Sequence, residues 1–335
     1  KKSYLIILII LACTQLTGCS YFPQIEDFSK VISGEASQEA KVLENELQQM
    51  REEVADYFYY QQLDTDEERR VYLQLANGLR TFKQQITIDR VDDETYTRAF
   101  FSVANDFPEY YWMTDAMRDG IDYQDLYEPD YPLQVEEESE KIATLAQSIV
   151  SQAPKDHVYD TVKFFYEYII QHTDYNLAAL SDSQISWDNQ SIKSVLLANS
   201  SVCAGYSRTF QYLCKLAGIE AVYVSGNVTG TNGETIEHAW NLVKIDQQYY
   251  GVDSTWGDPV FEEAMGSQVQ STISYDYLCV PDSILYRNRV ADVDLLSYWG
   301  TEYPYTERPL AYPSCTDNAL NYYVQQGTYF ENFDE

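Results

Sequence analysis

Three hundred and thirty-five residues, 45% hydrophobic and 22% charged, suffice for one large domain or two ordinary ones, and no low-complexity tract argues for disorder. Lys and Arg number 22 against 53 Asp and Glu, a net charge of −31. So acidic a chain is repelled by phosphate backbones and anionic headgroups, which all but excludes a sequence-independent nucleic-acid binder and disfavours electrostatic adhesion to lipid.

Lys1 and Lys2 precede an unbroken apolar run from Tyr4 to Cys13, and Leu16-Thr17-Gly18-Cys19 follows. As a helix the run rises roughly 15 Å, about half a bilayer core. It is too short to span and has the form of a secretory signal peptide. Leu16 to Cys19 resembles the lipobox of bacterial lipoproteins. That resemblance implies a signal peptide over residues 1–18, lipidation at Cys19, and an extracytoplasmic protein anchored to the bacterial membrane by acyl chains. No second run of eighteen apolar residues is present, so the remainder is expected outside the membrane. Four thiols are then left: Cys203, Cys214, Cys279 and Cys315. None shows C-x-x-C spacing, so neither a redox motif nor a zinc knuckle is expected. A disulfide between Cys279 and Cys315 is permitted by the compartment but not dictated by the sequence.

Residues 19–37, with Pro23 and Gly34, read as a tether. From Gln38 a helical region begins and runs to residue 132. Leu43, Leu47, Met50, Val54 and Phe58 form one apolar stripe. Thr65-Asp66-Glu67-Glu68 is a capping box opening a second helix, whose stripe is Tyr72, Leu75, Leu79 and Phe82. A third helix is expected around Glu94 to Asn105. Asp106 to Trp112 breaks it with four aromatics, read as a core corner rather than a ligand platform. The acidic stretch 115–140 reads as a solvated connector with a boundary near residue 133. Helical periodicity resumes over Val135 to Val150 and Asp156 to His172, with a short apolar segment at Ile192 to Ala198. Tyr206, Phe210, Leu213 and Ala217 mark a helix ending at Gly218, a residue suited to the left-handed cap. Strand-like runs follow at Ile219 to Ser225, Glu237 to Ile245 and Tyr249 to Thr255. A helix entering an antiparallel meander is an α+β arrangement.

Cys203 stands just before that helix, after Asn199-Ser200-Ser201, good N-terminal capping residues. Free N–H groups and the dipole at a helix start favour a thiolate and could hold an oxyanion. Cys214 falls on the apolar stripe and reads as an inert buried thiol. With a two-residue turn at Asp246-Gln247, Ile245 faces Gln248, and His238 and Asp253 share one sheet face as diagonal neighbours. A slip of one residue would separate them. Cysteine, histidine and aspartate so placed form a nucleophile, a base and its orienter. A metal site is a weaker reading of the same residues.

Ser201-Val202-Cys203-Ala204-Gly205-Tyr206-Ser207, Glu237-His238-Ala239-Trp240-Asn241 and Val252-Asp253-Ser254-Thr255-Trp256 resemble, in order, the three motifs of the transglutaminase-like superfamily. The resemblance covers about Val135 to Pro259 and implies a papain-like core over residues 133–260: a Cys-bearing helix on an antiparallel sheet, with Cys203 as nucleophile, His238 as general base and acid, and Asp253 as orienter. Tyr206, Trp240 and Trp256 are candidate substrate contacts, with core packing as the alternative for each. Gly205 reads as a close helix contact. Gln190 or Trp187 could supply a further oxyanion donor, and His157 and His172 read as structural. Residues 38–130 resemble the helical region ahead of this domain in some bacterial surface proteins. Residues 261–335 read as an extension packed on the core.

The function expected is cysteine acyl transfer on amide bonds of protein or cell-wall peptides through a thioester. The alternatives are a non-catalytic surface binding module and a cysteine protease. No calcium-loop pattern D-x-[DN]-x-[DN]-G occurs, and no cofactor is expected.

Overall fold

Both hydrogen bonds of the Thr65 capping box form in the computed structural model. The Thr65 hydroxyl accepts from the Glu68 amide at 3.1 Å, and the Glu68 carboxylate accepts from the Thr65 amide at 3.2 Å. The structure describes residues 25–113, 126–127, 129, 131–266, 272–295 and 308–329. Cys19 with its neighbours, and residues 115–125, 128 and 130 of the acidic stretch, lie outside the described residues. The chain divides into two units, residues 1–49 and 50–335. Helix α1 (Ile25–Glu53) begins within the stretch read as a tether, well before Gln38. Gly34 costs such a helix about 1 kcal/mol relative to alanine, too little to end it.

In the second unit, α2 (Phe58–Gln61), α3 (Asp66–Arg80) and α4 (Asp93–Asp106) follow, with a short antiparallel ladder between β1 (Ile86–Thr87) and β2 (Leu126–Tyr127). Tyr72, Leu75 and Leu79 are buried as the stripe requires. Phe82 lies past the helix end at φ 50° and packs on Trp112 at 5.2 Å between ring centroids. The aromatic corner is core: Phe107, Tyr110, Tyr111 and Trp112 are buried, and Phe107 stacks on Tyr110 at 4.8 Å.

Asp106 ties these helices together. Its Oδ1 accepts from the Tyr59 amide at 3.1 Å, and its Oδ2 accepts from the Tyr60 amide at 2.9 Å and the Tyr72 hydroxyl at 2.8 Å. Burial pushes its carboxyl up to about 7, against these three donors. In Asp106→Asn one acceptor becomes an N–H₂ group, so at least one buried donor faces another donor. We expect a loss of about 2–3 kcal/mol, read as a lower urea midpoint at constant m-value. An unchanged midpoint would refute this anchoring role.

The remainder supplies the sheet and the helix laid on it. Helices α5 (Val135–Gln152) and α6 (Val158–His172) lead to a short parallel pair, β3 (Asp174–Tyr175) with β4 (Ser200–Ser201), enclosing α7 (Ser183–Asp188) and α8 (Ile192–Leu196). Helix α9 (Cys203–Leu216) then packs on β5 (Ala221–Thr229) and β6 (Thr235–Ile245). Gly218 closes α9 at φ 72°. β7 (Gln248–Val252), α10 (Pro259–Ala264), β8 (Leu278–Val280), α11 (Asp282–Leu285), β9 (Arg289–Ala291) and α12 (Tyr322–Gln325) complete the chain order. One sheet runs β8-β7-β6-β5-β9 with every pair antiparallel. Ile245 faces Gln248, and Asp246 and Gln247 both take positive φ, at 48° and 68°, as a type I′ turn requires. β5 starts two residues later than read and runs on to Thr229; β7 stops at Val252, because Asp253 turns its amide to the Tyr277 carbonyl at 3.0 Å. Both edge strands come from residues beyond Pro259.

Side chains of α9 also close the open end of α4. Arg208 donates to the Ala104 carbonyl at 2.6 Å, Gln211 to the Asn105 carbonyl at 2.7 Å, and Lys215 to the Asp106 carbonyl at 3.3 Å. These satisfy carbonyls that a helix C-terminus leaves unpaired. Among the described residues, no helix is long and apolar enough to cross a membrane.

Candidate active site

Cys203 is the first residue of α9 and half-buried. The side-chain cap expected from Asn199-Ser200-Ser201 does not form. Val202 is the N-cap, with no side-chain hydrogen bond to the helix, because Ser200 and Ser201 are drawn into β4. Ser201 Oγ instead meets the Asn189 carbonyl at 2.9 Å and Ser194 Oγ at 2.7 Å. Gly205 lies directly against this cluster: a Cβ there would fall 1.9 Å from Ser201 Oγ and 2.9 Å from the Asn189 carbonyl oxygen. Cys203 packs on Ala204, Tyr223 and Ala239, so the thiol meets the sheet beside His238.

His238 sits on β6 opposite Gly226 and is buried. Its Nε2 lies 2.8 Å from Asp253 Oδ2, while buried Nδ1 has no hydrogen-bond partner. Phe261 stacks on the imidazole at 5.4 Å, and Trp256 meets it edge-on at 6.0 Å. Burial alone would push the imidazole down; the charge and hydrogen bond of Asp253, aided by Cys203, raise it to about 9.

Asp253 follows the end of β7, after a register shift at Gly251/Val252 in the β7–β8 pairing. Its Oδ1 accepts from the Trp256 amide at 3.0 Å. Its Oδ2 is shared by His238 and by Nη1 of Arg289, which donates a short hydrogen bond. Burial pushes this carboxyl up, but the charges of His238 and Arg289 prevail and hold it at about 2. Arg289 escaped sequence reasoning, since no motif spacing links position 289 to Asp253. Tyr175 did too. It is buried, its ring lies 4.7 Å from Phe261, and burial followed by the neighbouring Cys203 and Asp253 pushes its hydroxyl well up.

The aromatic candidates are interior. Tyr206 spends its hydroxyl on the Thr173 carbonyl at 2.9 Å and Asp258 Oδ2 at 2.8 Å. Trp240 is fully buried and Trp256 5% exposed, so both support the His238 ring more than they offer surface to a ligand. Gln190 Nε2 is engaged with Ser186 Oγ at 3.1 Å, and the Trp187 side chain lies outside the described residues. His157 is the N-cap of α6, and His172 stacks on Tyr168 at 4.0 Å. Cys214, Cys279 and Cys315 are free, buried thiols, each pushed up by burial. Among the described residues, no three His, Cys, Asp or Glu side chains are grouped to hold a metal ion.

Residues 143–254 match the family model described as the transglutaminase-like superfamily. Human kyphoscoliosis peptidase is 28% identical over 159 residues, 44% of this chain and 23% of the relative, so the chain spans less than a quarter of that protein's length. Among solved structures, a TGase aligns at TM-score 0.33 and 20% identity, over 42% of this chain and 36% of that one. An arylamine N-acetyltransferase from Bacillus cereus aligns at TM-score 0.26 and 18% identity, over 36% and 51%. The Cys-bearing helix on an antiparallel sheet, within the matched residues, is a transglutaminase-like, papain-like α+β fold.

Proposed function

We propose that this chain, which carries a transglutaminase-like domain, is a cysteine acyltransferase acting on amide bonds of protein or cell-wall peptides. The observation that carries the reading is the divided His238 ring: Nε2 is held by the Asp253 carboxylate, and Nδ1 is left unpartnered beside the Cys203 thiol. In the reactive state the Cys203 proton is held on Nδ1, and Sγ attacks the amide carbonyl. The first-turn N–H groups of α9, with no side-chain cap from Val202, receive the developing oxyanion. Nδ1–H then protonates the departing nitrogen, the C–N bond breaks, and a thioester remains on Cys203. An amine or a water molecule gives its proton to Nδ1, attacks the thioester and releases the thiol. An amine acceptor gives a crosslink; water gives deamidation or cleavage. Asp253 stays ionised and fixes the tautomer.

Glutamine peptides incubated with a labelled primary amine test this directly. Amine incorporation or peptide cleavage, lost in Cys203→Ala, is expected, with a Cys203 thioester trapped by hydroxylamine. Saturable ligand binding that Cys203→Ala leaves intact, with no thioester, would instead establish a binding module on the same fold.

The imidazolium must protonate the leaving nitrogen, so kcat/KM should hold to about pH 9 and fall above it. Asp253→Asn removes the charge that raises the imidazole and should bring that limb down by about one pH unit or more. The sign for folding is the same. His238 titrates higher folded than at its ordinary 6.5, so its stabilisation is full below about 6.5 and is lost as pH rises through about 9. A high-pH limb unmoved in Asp253→Asn would remove His238 from the acid role.

The proposal extends to location: Leu16 to Cys19 supports lipidation of Cys19 and anchoring outside the bacterial cytoplasm. Intact mass of the mature N-terminus checks it, and an unacylated Cys19 would refute it.

A further inference from the structure

We infer that Arg289 is a positioning residue for this site, locking the Asp253 carboxylate in place and supplying the positive charge that balances it. The inference rests on the reading of Cys203, His238 and Asp253 given above. Arg289 lies on edge strand β9, opposite Val228 of β5, and outside the residues 143–254 that match the family model. Its side chain is wholly buried, and Nη1 donates to the same Oδ2 that His238 occupies. The guanidinium carbon lies 4.1 Å from the Tyr277 ring centroid, 5.3 Å from Trp256 and 5.5 Å from Trp240. Three aromatic rings thus hold the guanidinium and exclude water around it.

A charge taken out of water must be paired, and here each buried charge has the other. Asp253 and Arg289 together are neutral. The proton that passes from Cys203 to His238 therefore moves on a neutral background, whether the pair is thiol and imidazole or thiolate and imidazolium. Without Arg289 the same four positions would carry one net negative charge in both states, and His238 would bind its proton more tightly. His238 and Arg289 also share one oxygen, so each weakens the other's hold on it. A simple edge-strand anchor would have neither consequence.

The test follows the His238 ring nitrogens by NMR across pH in wild type, Arg289→Met, Arg289→Gln and Arg289→Lys. The two neutral variants should raise the His238 midpoint by about one unit or more, and Arg289→Lys should return it close to wild type. Unchanged midpoints in both neutral variants, or a rise in Arg289→Lys as large as in Arg289→Met, overturn the inference. If neither neutral variant folds, Asp253→Asn/Arg289→Met decides. Removal of both charges together should restore the cooperative transition that Arg289→Met loses, whereas a failure to fold shows that Arg289 acts only through packing. Cys203 alkylation in the wild type stands apart. If Cys203 reacts no faster than free glutathione at pH 7, the acyl-transfer reading fails, while the His238 titration still decides the role of Arg289.

Discussion

His238→Ala is expected to lower kcat/KM for acyl transfer by about 10³-fold while leaving the fold intact. The rate falls because one imidazole both takes the Cys203 proton and returns it to the leaving nitrogen. The fold survives because Asp253, deprived of His238, still accepts from Arg289 and from the Trp256 amide. No unpaired buried charge results, so the chain still folds cooperatively, with a melting temperature lowered by the lost pairing with Asp253 and by the cavity left beside Phe261. Iodoacetamide alkylation at pH 7 reads the first half of this chemistry alone: Cys203 in wild type should react about tenfold or more faster than in His238→Ala. Cys214, Cys279 and Cys315 are unsuitable comparators, since burial shields them whatever their chemistry, and free glutathione serves instead. Equal alkylation rates in the two proteins would dissolve the catalytic assignment of His238.

Gly205→Ala should cost about 2–3 kcal/mol of stability and also slow Cys203. The added methyl would fall on Ser201 Oγ and against the Asn189 carbonyl and Ser194 Oγ. A hydroxyl can rotate away, but the Asn189 carbonyl belongs to the backbone and accepts from both serines. The first turn of α9 must therefore shift, and it carries Cys203. Gly218→Ala is the control. Its φ of 72° gives a strain of about 1 kcal/mol, but no atom lies within 4 Å of the added methyl. It should leave Cys203 alkylation unchanged. If Gly205→Ala leaves both the urea midpoint and Cys203 reactivity at wild-type values, the close contact under the helix start is not what that glycine provides.

Local chemistry announced much of this molecule. Thr65 and Glu68 cap a helix wherever the chain runs, because their partners lie within three residues. The Asp246-Gln247 turn fixed the β6–β7 register as far as Asn241 opposite Val252, but Asp253 lies past the end of β7, so strand parity alone did not bring it to His238. Cys203 at a helix start, Cys214 on the buried stripe, Gly218 in the left-handed cap and the aromatic corner at Phe107 to Trp112 were legible for the same reason. Each depends on near neighbours in sequence.

Contacts made across long separations left no such trace. Asn199-Ser200-Ser201 offers capping residues for the helix start, but β3 claims Ser200 and Ser201 from 26 positions upstream, as the Asp174–Ser200 pairing shows. For Tyr206 substrate contact and core packing were both open, and the Thr173 carbonyl and Asp258 that occupy its hydroxyl lie far off in sequence. No local pattern marks the partners of Asp106, Arg208 or Gln211: packing of α3 against α4 gives Asp106 the Tyr72 hydroxyl, and docking of α9 against α4 gives Arg208 and Gln211 their carbonyls. Arg289 is the sharpest case. It reaches Asp253 across 36 residues because β9 and β7 flank β5 and β6 in one sheet, an order that no local pattern encodes. Sequence by itself singled out Cys203, His238 and Asp253, since residue types and motif spacing are local properties. Which groups surround them, balance their charge and exclude water was decided by tertiary structure alone, since burial and pairing arise only when distant segments meet.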